Sequence, residues 1–405
     1  MNVIGLGYIG LPTALMFASH GFKVVGTDYN RELVKTLQSG KTTFEEDGLD
    51  ELFKKAVLEG IKFSDKYINT DVYIIAVQTP YDKSTKKIDP SYVVNAIKDV
   101  MKVCVKGATV IVESTISPGT IDKFVRPTVQ AKGFIIGKDI NIVHAPERII
   151  PGNMVFELKN NSRTIGADNK SVGKIVKSMY SSFCQGKIVV TDIHVAEMTK
   201  VVENTFRDIN IAFANELMKI CRLGNMDVYE IIKIANMHPR VNILQPGPGV
   251  GGHCISVDPW FLVGDYPGLA NIILSARRIN DSMPKFVLER IHDIMKEKNI
   301  TDLTRIGLYG LTYKENVDDI RESPTLQLIE IMERHLAKPL KTYDPNVKND
   351  IVENQYHDFD EFLNSIDIVV IMVAHDEIRE NVEKLRGKIV LDTRNIDGIK
   401  DWYKL

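Results

Sequence analysis

The chain has 405 residues, too many for one ordinary hydrophobic core, so two or three domains are expected. Its 44% hydrophobic and 26% charged residues suit a globular protein, and a net charge of −2 with Lys and Arg spread along the chain argues against nucleic acid as a partner. The longest apolar run, Ile366 to Ala374, is broken by Asp367 and too short to span a bilayer, so no membrane partner is expected either.

Taken in chain order, the first half alternates β-branched runs with amphipathic stretches. Val3-Ile4, Phe22 to Gly26, Val72 to Val77 and Thr109 to Val112 read as buried strands, and Arg31 to Ser39 and Pro90 to Lys102 as helices. That order predicts a parallel sheet with helices on both faces. From Asp192 to Asn236 the pattern changes: Val195, Met198, Val201, Val202, Thr205, Phe206, Ile209, Ala212, Phe213 and Leu217 recur at helical spacing. This predicts one helix of about seven turns, followed by a shorter one at Val228 to Asn236. After Arg305 the strands return at Ile306 to Gly310, Lys341 to Asp344, Ile366 to Val373 and Lys388 to Leu391. The expected fold is therefore α/β: two Rossmann-like doubly wound domains joined by a helical central segment with one long helix. The domain boundaries expected are 1–190, 191–298 and 299–405.

The strongest local motif is Gly5-Leu6-Gly7-Tyr8-Ile9-Gly10, after the first strand and opening a helix. Its first glycine permits a tight turn, the second lets backbone approach a pyrophosphate, and the third allows close helix–strand packing. The helix N-terminus adds free N–H groups and a favourable dipole. Asp28, at the end of the next strand, stands where a carboxylate accepts from a ribose 2′-hydroxyl and repels a 2′-phosphate, which favours NAD over NADP. Only four residues precede Gly5, so the first strand is short and a true start upstream of Met1 is among the expectations. The later Gly307-Leu308-Tyr309-Gly310 lacks the third glycine and reads as the site of a different nucleotide.

Cys104, Cys184, Cys221 and Cys254 form no CxxC pair and no ligand-spaced cluster, and no secretory signal opens the chain, so a cytoplasmic protein without a metal site is expected. Three of these cysteines sit in apolar or helical settings. Cys254 instead ends Gln245-Pro246-Gly247-Pro248-Gly249-Val250-Gly251-Gly252-His253-Cys254, which can be neither helix nor central strand. Backbone N–H groups of such a loop can converge on an anion and stabilise a thiolate nucleophile.

These segments, with Val77-Gln78-Thr79-Pro80, Ser114-Thr115, Pro146-Glu147, Lys200 with Asn204, Asp258, and Lys314 through Arg321, stand in the order that resembles the UDP-glucose/GDP-mannose dehydrogenase family over nearly the whole chain. The resemblance implies a four-electron oxidation of the C6 hydroxyl of a UDP-sugar to a carboxylate, with two NAD per turnover. By resemblance Cys254 is the nucleophile, Lys200 and Asn204 stabilise the developing oxyanion, and Asp258 handles protons or positions water. Glu147 is the base for thioester hydrolysis, with Thr115 nearby. Without the resemblance, Lys200 would read as a solvated helix lysine. The cofactor contacts implied are Gly5, Gly7, Tyr8, Ile9, Gly10, Asp28, Thr79, Thr115 and Arg321. The substrate contacts implied are Glu147, Arg148, Lys200, Asn204, Arg240, Gly251, Lys314 and Arg394, with Arg240 reaching across the interface of a homodimer.

His238 to Ile243, Pro151 where UDP-glucose enzymes usually carry a second glutamate, and His253 before the cysteine resemble the branch of the family that acts on UDP-N-acetyl-D-mannosamine. UDP-N-acetylglucosamine and UDP-glucose remain alternatives, since no physical rule reads the C2 configuration from these residues. A role in making a surface polysaccharide or glycan is expected from the family's products. A two-electron hydroxyacid-type dehydrogenase would need neither Cys254 nor a second nucleotide domain. A non-catalytic nucleotide-sugar binder would be expected to lose Cys254, Lys200 or Asp258.

Overall fold

Runs such as Ala108-Thr109-Val110-Ile111-Val112 carry apolar residues on both faces, which suits strands covered by helices on each side. The computed structural model describes residues 1–334, 339–396 and 402–405. The chain forms two compact units, Met1–Glu203 and Asn204–Leu405.

The first unit holds β1 (Asn2–Ile4), β2 (Val25–Thr27), β3 (Lys62–Ser64), β4 (Val72–Ile75), β5 (Ala108–Val112), β6 (Ile140–His144), β7 (Arg163–Ala167) and β8 (Ile188–Thr191). They form one sheet in the order β3-β2-β1-β4-β5-β6-β7-β8. Val3, Ile74, Ile111 and Val143 enter one core, while Ile4, Ile75, Val110 and Ile142 enter another, so successive residues feed opposite faces. The expectation of a wholly parallel sheet fails at one pairing, because β7 runs antiparallel to β6 through Val143–Ala167 and His144–Gly166. The segment between them re-enters at the end of the sheet where β6 left, so no crossover is needed. β2 begins at Val25, not Phe22, because its partner β1 spans only Asn2–Ile4.

The second unit carries β9 (Ile306–Tyr309), β10 (Lys341–Tyr343), β11 (Gln355–Tyr356), β12 (Ile368–Ile371), β13 (Ile389–Asp392) and β14 (Tyr403–Lys404). Their order is β11-β10-β9-β12-β13-β14, with every pairing parallel. Both sheets thus change winding direction beside their first strand, where α/β folds open a crevice at the carboxyl ends.

Between the sheets in sequence lie helices from Ile193 to Glu297. The first spans 31 residues, Ile193–Leu223, or about 46 Å at 1.5 Å per residue. The Asp192 carboxylate accepts from the Val195 N–H at its start, and Asn225 at φ 53° follows its end. Several of the apolar residues that predicted this helix, Val195, Val202, Phe206 and Phe213, are exposed and do not face a core.

Candidate active site

In the first unit the glycine motif is fixed by sterics. Gly5 follows β1 at φ 85°, and a Cβ there would lie 2.6 Å from the Ala76 carbonyl oxygen. A Cβ on Gly10 would lie 1.8 Å from the Gly5 carbonyl oxygen, whereas one on Gly7 would meet nothing within 4 Å. The outer glycines are thus packing requirements, and the middle one leaves space for a ligand. Asp28 follows β2, and its carboxylate accepts from the Leu6 and Asn30 N–H groups, each at 2.8 Å, which fixes the turn. Beside them lies a cavity of about 370 Å³, lined by Gly5, Gly7, Asp28, Tyr67, Gln78 and Asp99 among others. Burial, then the charges of Asp99 and Asp28, pushes the Tyr67 pKa up to about 12. Two carboxylates at one cavity disfavour a further phosphate there. Asp99 had no sequence signal, since it lies on the helix Ser91–Val103 without a motif around it.

Thr79 is buried after β4 and Thr115 half-buried after β5. The Ser114 hydroxyl donates to the Val77 carbonyl at 2.7 Å and ties these two loops together. Tyr8 packs its ring on Phe44 at 4.5 Å, and Ile9 packs against the core. A dinucleotide fits this geometry, with space at Gly7 and the Asp28 carboxylate held beside the cavity.

Glu147 follows β6 and is buried. One carboxylate oxygen is ion-paired with Arg163, and the other accepts from the Arg148 N–H at 2.7 Å. Arg163 also pairs with Glu113 at 3.0 Å, and its guanidinium lies 4.1 Å from the centre of the Tyr180 ring. Arg148 is held by Ser162, Thr164 and Glu203. The loop after Glu147 is pinned where the Glu46 carboxylate accepts from the Gly152 and Met154 N–H groups. Glu113, Arg163 and Tyr180 escape a sequence reading because Glu113 meets its two partners across 50 and 67 positions.

In the second unit, the loop ahead of Cys254 interlocks with the loop after β9. A Cβ on Gly251 would lie 2.6 Å from the Glu322 carbonyl oxygen and 2.7 Å from the Tyr313 Cβ, and one on Gly252 would lie 2.9 Å from the Tyr313 ring. The Gly252 N–H donates to the Arg321 carbonyl at 2.8 Å, and the Gly247 N–H to Asn215 at 2.9 Å. These two N–H groups are spent inside the protein and fix the loop's path. The glycines are needed for close approach. Cys254 is exposed, in contrast to buried Cys184 and Cys221 and half-buried Cys104. Its carbonyl accepts from the Asp258 N–H at 2.9 Å, at the start of the helix Asp258–Asp265. Burial, then the charge of Arg321, lowers the His253 pKa, so this neighbour is neutral near pH 7.

Lys200 and Asn204 are both buried, one turn apart on the long helix, so Lys200 is not a solvated lysine. The Asn204 amide donates to the Asp258 carboxylate at 2.6 Å. One turn further, Asp208 accepts from Arg277 at 2.6 Å and from Asn280 at 2.8 Å, and Asn280 accepts from Asn215 at 2.9 Å. This network holds the long helix, the glycine loop and the helix Asn271–Asp281 in register, and no local pattern announced it.

Gly310, at φ 98° after β9, is the counterpart of Gly5, and Gly307 is a packing glycine inside the strand whose Cβ would meet Phe362 at 2.6 Å. Asp344 matches Asp28, accepting from the Leu311 and Thr312 N–H groups at 2.6 and 3.0 Å. Lys314 and Arg394 are half-buried, and Arg321 is paired in a fork with Asp319. Arg240 is exposed on a loop that Asn236 and Asn210 fasten at Ile243, Asn242 and Leu244. Among the described residues no group of His, Cys, Asp and Glu could hold a metal ion. No helix there is long and apolar enough to cross a membrane.

Three models of the UDP-glucose/GDP-mannose dehydrogenase family match: the NAD binding domain at residues 1–184, the central domain at 194–282 and the UDP binding domain at 307–397. A UDP-N-acetyl-D-mannosamine dehydrogenase of Methanococcus vannielii is 42% identical, over 99% of this chain and 94% of its own. The structure of the UDP-N-acetyl-mannosamine dehydrogenase Cap5O from S. aureus superposes with a TM-score of 0.89 at 42% identity, covering 100% of this chain and 97% of that one. That of a UDP-D-ManNAc dehydrogenase from Pyrococcus horikoshii gives 0.91 at 39% identity, covering 100% and 98%.

Proposed function

The chain belongs to the UDP-glucose/GDP-mannose dehydrogenase family, and on that premise we propose that it oxidises the C6 hydroxyl of UDP-N-acetyl-D-mannosamine to a carboxylate, reducing two NAD per sugar. The observation that carries this reading is Cys254, exposed at the end of a rigid glycine loop, beside a buried Asn204–Asp258 pair. The relatives of about 40% identity support the choice of sugar.

The bound cofactor supplies an acceptor for a hydride at each of the two oxidations. Loss of a proton and a hydride from the C6 alcohol leaves an aldehyde. A bare aldehyde cannot usefully give up a second hydride, so the Cys254 thiolate adds to it and makes the carbon tetrahedral. The Lys200 ammonium and the Asn204 amide stabilise the charge developing on oxygen, as preorganised donors. Asp258, held by Asn204, receives or returns the proton. Once the second hydride has left, the Cys254 thioester is hydrolysed, with Glu147 taking a proton from water and Thr115 nearby. Carboxylate and free thiol are regenerated.

The same reading divides the chain at 1–190, 191–298 and 299–405 into NAD-binding, central and UDP-binding domains. Tyr8, Ile9, Thr79 and Arg321 serve the cofactor, and Arg148, Gly251, Lys314 and Arg394 the nucleotide-sugar. It makes the protein a cytoplasmic homodimer, with Arg240 contributed to the partner's substrate, in the synthesis of a polysaccharide. The free cysteines support a reducing compartment. The test is NADH formation by the purified protein on UDP-N-acetylmannosamine, UDP-N-acetylglucosamine, UDP-glucose and GDP-mannose. Turnover of the first is expected. Preference for another sugar contradicts the substrate assignment and leaves the reaction class standing.

A further inference from the structure

The buried cluster of Glu113, Arg163 and Tyr180 takes no part in the reaction as set out above. We propose that Glu113 and Glu147 share one proton across Arg163, so that Glu113 is the positioning residue that sets how strongly Glu147 draws a proton from the hydrolytic water. The inference rests on the reading of Glu147 as the base for thioester hydrolysis.

The geometry is two carboxylates on one guanidinium, all three buried. With both carboxylates ionised, one negative charge is left uncompensated in the interior, which is costly. One of them therefore keeps a proton, as like charges at a common site require. Glu113 is the one placed to hold it. One of its oxygens accepts from Arg163 and from the Tyr180 hydroxyl, each at 3.0 Å, while the other is buried without a partner. The Thr13 hydroxyl, buried on the helix Gly10–Ser19, is a further polar neighbour of Glu113, and its hydrogen bonding favours the ionised form. Burial pushes the Glu113 pKa up to about 7, against the pull of Arg163.

The groups facing Glu113 are Arg163 on β7, Tyr180 on the helix Lys170–Tyr180, Glu147 after β6, and Thr13. His144 on β6 is buried with its pKa pushed down to about 4, so it is neutral and adds no charge. When Glu113 is neutral, the guanidinium charge faces Glu147 alone. When Glu113 ionises, the two carboxylates share the guanidinium, and Glu147 is held less tightly as it meets the hydrolytic water. The hydrolytic step therefore speeds up as pH rises through neutrality.

The test is pre-steady-state turnover of Glu113→Gln with the nucleotide-sugar, which keeps the hydrogen bonds and removes the titration. A burst of two NADH per subunit at the wild-type rate is expected, and then a steady state slower by on the order of tenfold. The Cys254 thioester should accumulate, visible by intact mass, and the rise of hydrolysis with pH should flatten. Tyr180→Phe, which removes a donor to ionised Glu113, should move the wild-type profile to higher pH. A Glu113→Gln enzyme with the wild-type steady state and pH profile overturns the proposal, and so does equal slowing of the hydride steps, which marks a structural role. If Glu113→Gln does not fold, a wild-type hydrolysis rate that is flat across neutral pH overturns it as well. Glu147→Gln separates the two levels: wild-type turnover removes the underlying reading, whereas a slow Glu147→Gln beside an unaffected Glu113→Gln removes only the shared proton.

Discussion

Glu113, just after β5, and His144, at the end of the neighbouring β6, are buried ionisable groups whose proton affinities move in opposite directions on folding. His144 donates from Nδ1 to the Val112 carbonyl at 2.9 Å, and burial lowers its pKa from 6.5 to about 4. The folded protein binds this proton less readily than the unfolded chain, so its contribution to stability is present above pH 6.5 and lost as pH falls toward 4. Glu113 is raised from 4.5 to about 7, so the folded state holds its proton more readily, and stability grows as pH falls from 7 toward 4.5. Across the shared window the two terms offset. Glu113→Gln removes one of them, and the variant is expected to lose about 2 kcal/mol between pH 6.5 and 4.5 relative to wild type. Urea unfolding at the two pH values checks this, and parallel pH dependences in the two proteins would contradict it.

At the scale of elements, the long helix Ile193–Leu223 has two unlike faces. One face presents Asn204, Asp208 and Asn215 to buried partners. The other leaves Phe206, Phe213 and Ile220 exposed at 65, 51 and 55%, seven residues apart. A seven-residue repeat of large apolar groups keeps one stripe on a helix, and such a stripe suits packing against a second helix. In the proposed homodimer this stripe is the seam, and covering each of these side chains contributes about 1.5–3 kcal/mol. Phe213→Glu is therefore expected to sediment as a folded monomer where wild type sediments as a dimer. A dimeric Phe213→Glu, or a monomeric wild type, would place the seam elsewhere or remove it.

For the molecule as a whole, the parts legible in the sequence were those written locally. Gly5, Gly7, Gly10 and Asp28 sit as their spacing implied, because a glycine turn and a strand-end carboxylate are short-range devices. Strands β4, β5 and β9 were readable as continuous apolar runs. The antiparallel β7 was not, since strand direction depends on the path of the connection and leaves no periodicity. The glycines before Cys254 were legible as a loop, but their reason was not, because it lies in Tyr313 and Glu322 some 60 to 70 residues away. The Glu113–Arg163–Glu147 cluster was hidden for the same cause. The central claim is a four-electron oxidation through Cys254, and its most direct test is the yield of NADH per nucleotide-sugar consumed. The account predicts two NADH per sugar with wild type and no carboxylate product with Cys254→Ser. One NADH per sugar, or a Cys254→Ser enzyme that completes the oxidation at the wild-type rate, would contradict it.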